Sequence, residues 1–422
     1  MFERLFKRPC VLARHHRDPL SEERRTFLTH CADLGMSDTT LRHLACYLLS
    51  IASFLRLDDR PDDLISAEEI ESQADRWANR PSKSGPSKSG QSKPKPYARA
   101  TFISFATRWL QFLGRWQAPV AAAHVYADRV AAFTYHMHRE RGLSPDTIRW
   151  HRRVAQEFLD RLCASRRLEE VTPAHVDDAL FQKLQEGDCA RVTVRGYASA
   201  LRVFFRYAQT QGWCQRSLSE AIHLPRVFSQ NTLPCGPSWE NVQHLLASTE
   251  QDTPKAIRDR AILLLLAVYG CRASEAVRLR LDDFDWEREL IHFTRSKSSR
   301  TQTYPLSRTV GDAVLRYLQT GRRRSPYREV FLRINAPVRP LACGSLWIIV
   351  AQRLRALGVS LRHYGPHALR HACATHLLEE GFTLKQIGDH LGHRHPDSTR
   401  IYAKVDLAGL RQVADFNIGD LI

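Results

Sequence analysis

One segment limits the fold more than any other. Arg80 to Pro96 reads RPSKSGPSKSGQSKPKP, with a doubled PSKSG, five basic residues and no acidic one. Ser, Gly, Pro and Lys bury too little apolar surface to offset the entropy of ordering, so this stretch predicts a mobile tether. The plain reading is a solvated linker; the sharper one is a linker that also touches phosphates. Either way, the parts before and after it need cores of their own. A second break, the 226–237 linker, falls in PRVFSQNTLPCGP, which carries three prolines.

Between the breaks the apolar residues recur at helical spacing. Leu41, Leu44, Leu48, Ile51 and Leu55 form one stripe, and Phe102 to Trp116 forms an aromatic-rich second. Val125–Arg139, Ser144–Leu162, His175–Leu184 and Thr193–Gln209 read the same way, with Ser144-Pro145 as a cap followed by Pro at the first helical position. GMSDTTLRH from Gly35 echoes GLSPDTIRWH from Gly142: Gly35, Ser37, Thr40 and Arg42 align with Gly142, Ser144, Thr147 and Arg149. RWLQFL around Trp109 is a looser echo of VFFRYA around Phe204. The expectation is two helical modules of similar build, 1–118 and 119–225; coincidence between amphipathic helices is the alternative.

Beyond the second linker the pattern is mixed. Trp239–Ser248 and Pro254–Tyr269 read as helices, the latter opened by Thr253-Pro254 and closed by Gly270. Ile291–Thr294 and Thr301–Leu306 alternate around a Ser/Lys-rich turn, a hairpin signature. Gly344–Leu357, Pro366–Glu380, Leu384–Leu391 and Ser398–Lys404 read as helices, and the tail to Ile422 has an apolar face of Leu407, Leu410 and Val413. The fold class expected is mainly α with a small β-sheet, the last region being α+β.

Composition narrows the partners. Lys and Arg number 62 against 45 Asp and Glu, a net of +17, which favours a polyanion such as nucleic acid or an anionic membrane. The longest apolar run, Ala261 to Tyr269, is far short of the roughly 20 residues of a membrane span. The opening MFERLFKRPCVLARHHRD has no apolar signal core. Ten cysteines are scattered with no C-x-x-C pair, which fits reduced thiols and a cytoplasmic protein.

Four clusters near the carboxyl end could do chemistry. Arg272 lies in the break after an apolar helix, where a guanidinium can face an anion at a helix start; a surface Arg paired with Glu275 is the bland reading. Lys297 stands between Ser296 and Ser298 in the hairpin turn, a position where lysine is ordinarily just solvated. In Pro366-His367-Ala368-Leu369-Arg370-His371, His367 shares a helix face with Arg370 and His371. Leu391-Gly392-His393 is followed nine residues on by Tyr402, a residue type that usually belongs to the core or its rim.

Taken in order, these clusters form one constellation. On it the chain resembles the tyrosine recombinases of the phage-integrase family, over residues 119–422, with the catalytic motifs in 270–402. Residues 1–118 lie outside the family's usual core. The resemblance implies a helical, SAM-like core-binding domain at 119–225 and a catalytic domain at 238–422 with a tail helix. Together these would make a C-shaped clamp on double-stranded DNA, assembled as a homo-oligomer, a tetrameric synapse in which the tail docks in trans or folds back in cis. It implies transesterification without metal, ATP or other cofactor. Tyr402 would be the nucleophile that keeps the 3′-phosphate. A phenol, with a reference pKa near 10, needs help to ionise. Arg272 and Arg370 would hold the non-bridging oxygens, where charge grows in the transition state. Lys297 would protonate the leaving 5′-oxygen, His367 would assist the Tyr402 proton, and His393 would donate to the phosphate. Glu275 and His371 would support the site.

One departure is that serines flank Lys297 where the family commonly has glycines; Arg295 and Arg300 are neighbouring alternatives, though guanidinium is a poor general acid. Arg149, Arg152, Arg153, Arg195 and Arg202 are candidate DNA contacts, each with a merely solvated helix face as its alternative. Two rivals stand beside this reading. His363, His367 and His371 at four-residue steps could ligate zinc, although Pro366 interrupts the stripe. The scaffold could also bind DNA without cutting it. Integration, transposition, dimer resolution and cassette exchange are not separated by the sequence; the echoing amino-terminal region leans towards a mobile element.

Overall fold

The computed structural model describes residues 1–80, 96–118, 125–163, 167–185, 189–215, 217–227, 233–295 and 301–406. Residues 81–95 of the expected tether, Lys297 and the tail 407–422 therefore lie outside the described residues. Contacts group the chain into two units, Met1–Gln117 with Thr232–Ile422, and Ala118–Asn231. Three principal apolar cores run through them: one from Phe2 to Leu110, one from Tyr126 to Ile222 and one from Val242 to Ala372.

The first core belongs to α1 (Phe2–Leu5), α2 (Pro9–Arg17), α3 (Ser21–Asp33), α4 (Asp38–Phe54), α5 (Ala67–Ala78) and α6 (Pro96–Phe112). The stripe Leu41, Leu44, Leu48, Ile51 and Leu55 is buried, against Phe102 and Trp109 of α6. Periodicity overlooks α3 because its core-facing side includes Arg24. That guanidinium is fully buried and donates to the carbonyls of His15, Asp18 and Pro19, closing the end of α2.

The second core belongs to α7 (Ala127–Arg139), α8 (Pro145–Cys163), α9 (Pro173–Gln185), α10 (Arg191–Thr210) and the short α11 (Leu218–Ala221). Its turns repeat those of the first. Gly35 and Gly142 both take positive φ, 87° and 55°, after the first long helix of their module. Ser37 Oγ then accepts from Thr40 N–H at 3.4 Å, and Ser144 Oγ accepts from Thr147 N–H at 3.3 Å. Gly114 after α6 and Gly212 after α10 share a φ of 70°.

The third core is centred on α13 (Pro254–Tyr269), buried on nearly every side. Its ends fall where the sequence predicts: Thr253 caps the first turn, and Gly270 closes the helix at φ 53°. Around it lie α12 (Trp239–Ala247), α14 (Ala273–Arg278), α15 (Arg308–Arg316), α16 (Cys343–Ala356), α17 (Pro366–Glu379), α18 (Leu384–Leu391) and α19 (Asp397–Arg400). A 3₁₀ turn, Ile401–Val405, follows. The sheet is antiparallel, β1 (Phe284–Asp285), β2 (Leu290–Thr294), β3 (Thr301–Pro305), with Ile291 opposite Tyr304 and Phe293 opposite Gln302. Buried Ile291 and Phe293 alternate with less buried neighbours, which is why the hairpin reads clearly from sequence. The pattern misses α15 and β1, the latter only two residues long. Among the described residues no helix is long and apolar enough to cross a membrane.

Candidate active site

Four short segments converge at the open ends of α13 and α18. The first is Gly270 to Glu275. The left-handed turn at Gly270 releases the chain from α13, and Arg272 caps α14. A side chain at Gly270 would meet the Leu391 methyl at 2.4 Å, so glycine is required there for two reasons. Glu275, three residues into the helix, reaches back to the Arg272 N–H at 2.9 Å and accepts from Arg272 Nη1 at 2.8 Å. Its carboxylate side chain is wholly buried, while Arg272 stays partly exposed.

The second segment is the start of α17. Pro366 occupies its first turn, and Arg370, one turn on, is 2% exposed. Arg370 Nη1 donates to the Gly270 carbonyl at 2.6 Å, and Nη2 donates to the Leu391 carbonyl at 2.8 Å. Each of those nitrogens has a second N–H for a ligand. Burial and then the charge of Arg272 lower the Arg370 pKa to about 10. The guanidinium is thus still charged at neutral pH, and it is immobilised by backbone on both sides.

The third segment is the end of α18. Gly392 takes φ 64°, and His393 follows with its Nδ1 2.7 Å from Thr399 Oγ1. Its pKa falls to about 3, from desolvation first and then from Arg370 and Arg272. The fourth is the 3₁₀ turn that carries Tyr402. The phenol is 2% exposed, among Cys373, Ala374, Ile387 and Leu391. Its hydroxyl lies 2.9 Å from His371 Nδ1. Desolvation pushes the phenol up to about 12 while Arg370 pulls it down, and desolvation followed by His367 pushes His371 down to about 4. The imidazole is therefore neutral at pH 7, and with its proton on Nε2 it accepts from the phenol.

These shifts share their causes, so the groups form one electrostatic neighbourhood: Arg272 and Arg370 act on His393, Arg272 acts on Arg370, and Arg370 acts on Tyr402. Here the structure corrects one expectation. The hydrogen-bond partner of Tyr402 is His371 and not His367. His367 lies one helical turn earlier, edge-on to His371 at 4.7 Å, and lines an exposed hollow of about 460 Å³ with Arg272, Trp347 and His363. Arg272, Glu275, His367, Arg370, His371, His393 and Tyr402 all come together; Lys297 falls outside the described residues. Among the described residues no group of three or more His, Cys, Asp or Glu is arranged to hold a metal ion.

With the geometry in hand, comparison with known proteins decides the family. The model of the phage integrase family matches residues 238–408, and that of its N-terminal SAM-like domain matches 130–212. A putative integrase/recombinase, y4rA of Sinorhizobium fredii, is 37% identical over 293 residues, 68% of this chain and 70% of that protein. The chain belongs to the tyrosine recombinases of the phage integrase family. Tyrosine recombinase XerD of Listeria innocua is 30% identical over 68% of this chain and 97% of its own length. A crystal structure of the XerH site-specific recombinase, bound to palindromic difH in a post-cleavage complex, has the same fold at 18% identity and TM-score 0.54, covering 88% of this chain and 95% of that one.

In the recombinase's other unit the candidate DNA contacts divide. Arg149, Arg152, Arg153 and Arg195 are exposed. Arg149 pairs with exposed Asp146, and Arg153 lies over Trp150. Arg202 is a correction: it is half-buried and donates to the Ile222 carbonyl, so it ties α10 to the end of α11 instead of facing solvent. Sequence reasoning also misjudged Arg295, which it weighed only as a substitute for Lys297. The structure buries it against Glu275, Gln302 and Tyr304. Its signal was weak: one more arginine in a basic hairpin.

Proposed function

We propose that this recombinase cuts and rejoins duplex DNA through a 3′-phosphotyrosyl link at Tyr402. The observation that carries the reading is the shared neighbourhood of Tyr402, Arg370 and Arg272, with a neutral histidine on the phenol. In the step itself, Tyr402 Oη bonds to phosphorus and the bond from phosphorus to the 5′-oxygen breaks. The phenol proton passes to His371 Nδ1 in concert with bond formation to phosphorus, where the negative charge of the bound phosphate raises the basicity of the imidazole, and the leaving oxygen takes a proton from Lys297. Arg272 and Arg370 hold the non-bridging oxygens, and His393 donates to them. Two fixed guanidiniums stabilise the growing charge with little reorganisation. His367, beside Arg272 at the rim of the hollow, helps to seat the phosphate. Tyr402 is 2% exposed, so a phosphate reaches the phenol only if the 3₁₀ turn opens by enough to admit it beside His371.

Residues 119–225 are the core-binding domain, with Arg149, Arg152, Arg153 and Arg195 on backbone phosphates; 226–237 are a linker; 238–422 are catalytic, acting as a homo-oligomer on DNA. The 1–118 region is a second copy of the helical module, supported by its repeated glycine turns and serine caps. Its basic face is reduced: Arg42 matches Arg149, but Ala45 and Cys46 stand where the other module has Arg152 and Arg153. The DNA served is that of a mobile element, through integration or transposition. The test is a duplex built from a recombination junction recovered by sequencing, with a nick that traps the cut strand. A protein–DNA adduct that survives denaturation is expected; binding without adduct would leave a non-enzymatic DNA-binding protein.

A further inference from the structure

Arg295, at the end of β2, is only 6% exposed, yet it meets three segments at once. Its Nη1 donates to Glu275 Oε2 at 2.7 Å, while Glu275 Oε1 accepts from Arg272. Its Nε and Nη2 donate to Gln302 Oε1 at 3.0 and 2.8 Å, and Nη2 also meets the Tyr304 hydroxyl. Those two residues of β3 continue the chain of contacts. Gln302 Nε2 donates to the Asp389 carbonyl at 2.7 Å, and the Tyr304 hydroxyl donates to the His390 carbonyl at 2.6 Å. The backbone of Gly392 lies on the guanidinium itself: a Cβ there would fall 2.5 Å from the Arg295 Cζ.

We propose that Arg295 is a positioning residue for cleavage: through Glu275 it sets the reach of Arg272, and through Tyr304, Gln302 and Gly392 it sets the turn that presents His393. The inference rests on the reading of Arg272 and His393 as phosphate-holding groups. Glu275 is shared between two guanidiniums. Without Arg295, the buried carboxylate is left with Arg272 alone and draws that side chain back from the phosphate. Lysine cannot replace it, because the contacts need a flat cation with donors in its plane and a bare face for Gly392.

The test uses the full chain and the nicked junction duplex, in two forms: one with an ordinary scissile phosphate, one with a methyl group replacing a non-bridging oxygen there. The methyl form carries no charge for the guanidiniums to hold. For Arg295→Lys at saturating DNA, adduct formation on the ordinary duplex is expected to fall on the order of 10²-fold, as for a lost oxyanion donor. The deficit should shrink on the methyl form. Gly392→Ala, which pushes on the same guanidinium from its other face, should give the same pair of results. Equal deficits on both duplexes would mean plain structural damage and overturn the proposal, as would a wild-type rate for Arg295→Lys. If the wild-type chain makes an adduct and Arg295→Lys matches it, only this inference is lost. If the wild-type chain makes none, the enzymatic reading falls and takes the inference with it.

Discussion

The module of α7 to α10 and the catalytic region use the same residue type in opposite ways. Arg149, Arg152, Arg153 and Arg195 stand in solvent; among the described residues Arg149 pairs with exposed Asp146, and Arg195 makes one long contact to the Val227 carbonyl. Arg370 and Arg295 are buried, and each donates to two or more fixed oxygens. A solvated guanidinium can follow a phosphate along a backbone, but its field is screened and its position is loose. A buried one has already lost its freedom and its water, so it meets a developing charge at full strength. The difference suits one region to affinity and the other to rate.

Four measurements test that division of labour. The largest effect belongs to Tyr402→Phe, which should abolish the covalent adduct while DNA still binds; an adduct in that variant would move the chemistry elsewhere. Arg370→Ala should slow adduct formation at saturating DNA by at least about 10²-fold. A near-normal rate, in a variant shown by its melting curve to be folded, would erase the contrast between buried and exposed arginines.

In the helical module, Arg149→Ala with Arg152→Ala should weaken binding to all sequences alike and flatten the salt dependence by about one unit of slope per arginine. High DNA concentration should restore the adduct. A sequence-selective loss would make these residues base readers instead.

The smallest expected effect is on stability against pH. His371 and His393 are held neutral by the fold, with pKa values of about 4 and about 3. The unfolded chain takes up their protons as pH falls below the ordinary histidine value of about 6.5, and the folded chain refuses them. Stability should therefore drain away between about pH 6.5 and pH 4. His393→Asn should make the melting temperature less sensitive to that window, and an unchanged slope would show that the histidine is not desolvated.

Much of this was legible in the primary structure. Thr253-Pro254 and Gly270 bound α13 correctly because caps and left-handed turns are local chemistry. The spacing of Arg272, Arg370, His393 and Tyr402 survives in the fold because each sits at, or within about one turn of, an element end that its own neighbours define. Where side chains broke the pattern, reading failed: α3 hides a buried Arg24, and β1 has only two residues.

Local order, then, belonged to the chain itself: helix ends, the hairpin, the basic surplus and the roster of reactive groups. Folding in three dimensions alone chose His371 over His367 for the phenol, turned Arg202 inward, and made Arg295 a bridge between β2, Glu275 and the turn before His393. Those choices depend on contacts such as Arg370 with Gly270 and Gln302 with Asp389, separated by 100 and 87 residues. Pairings over such distances are set by how whole elements pack, and no run of neighbouring residues carries that information.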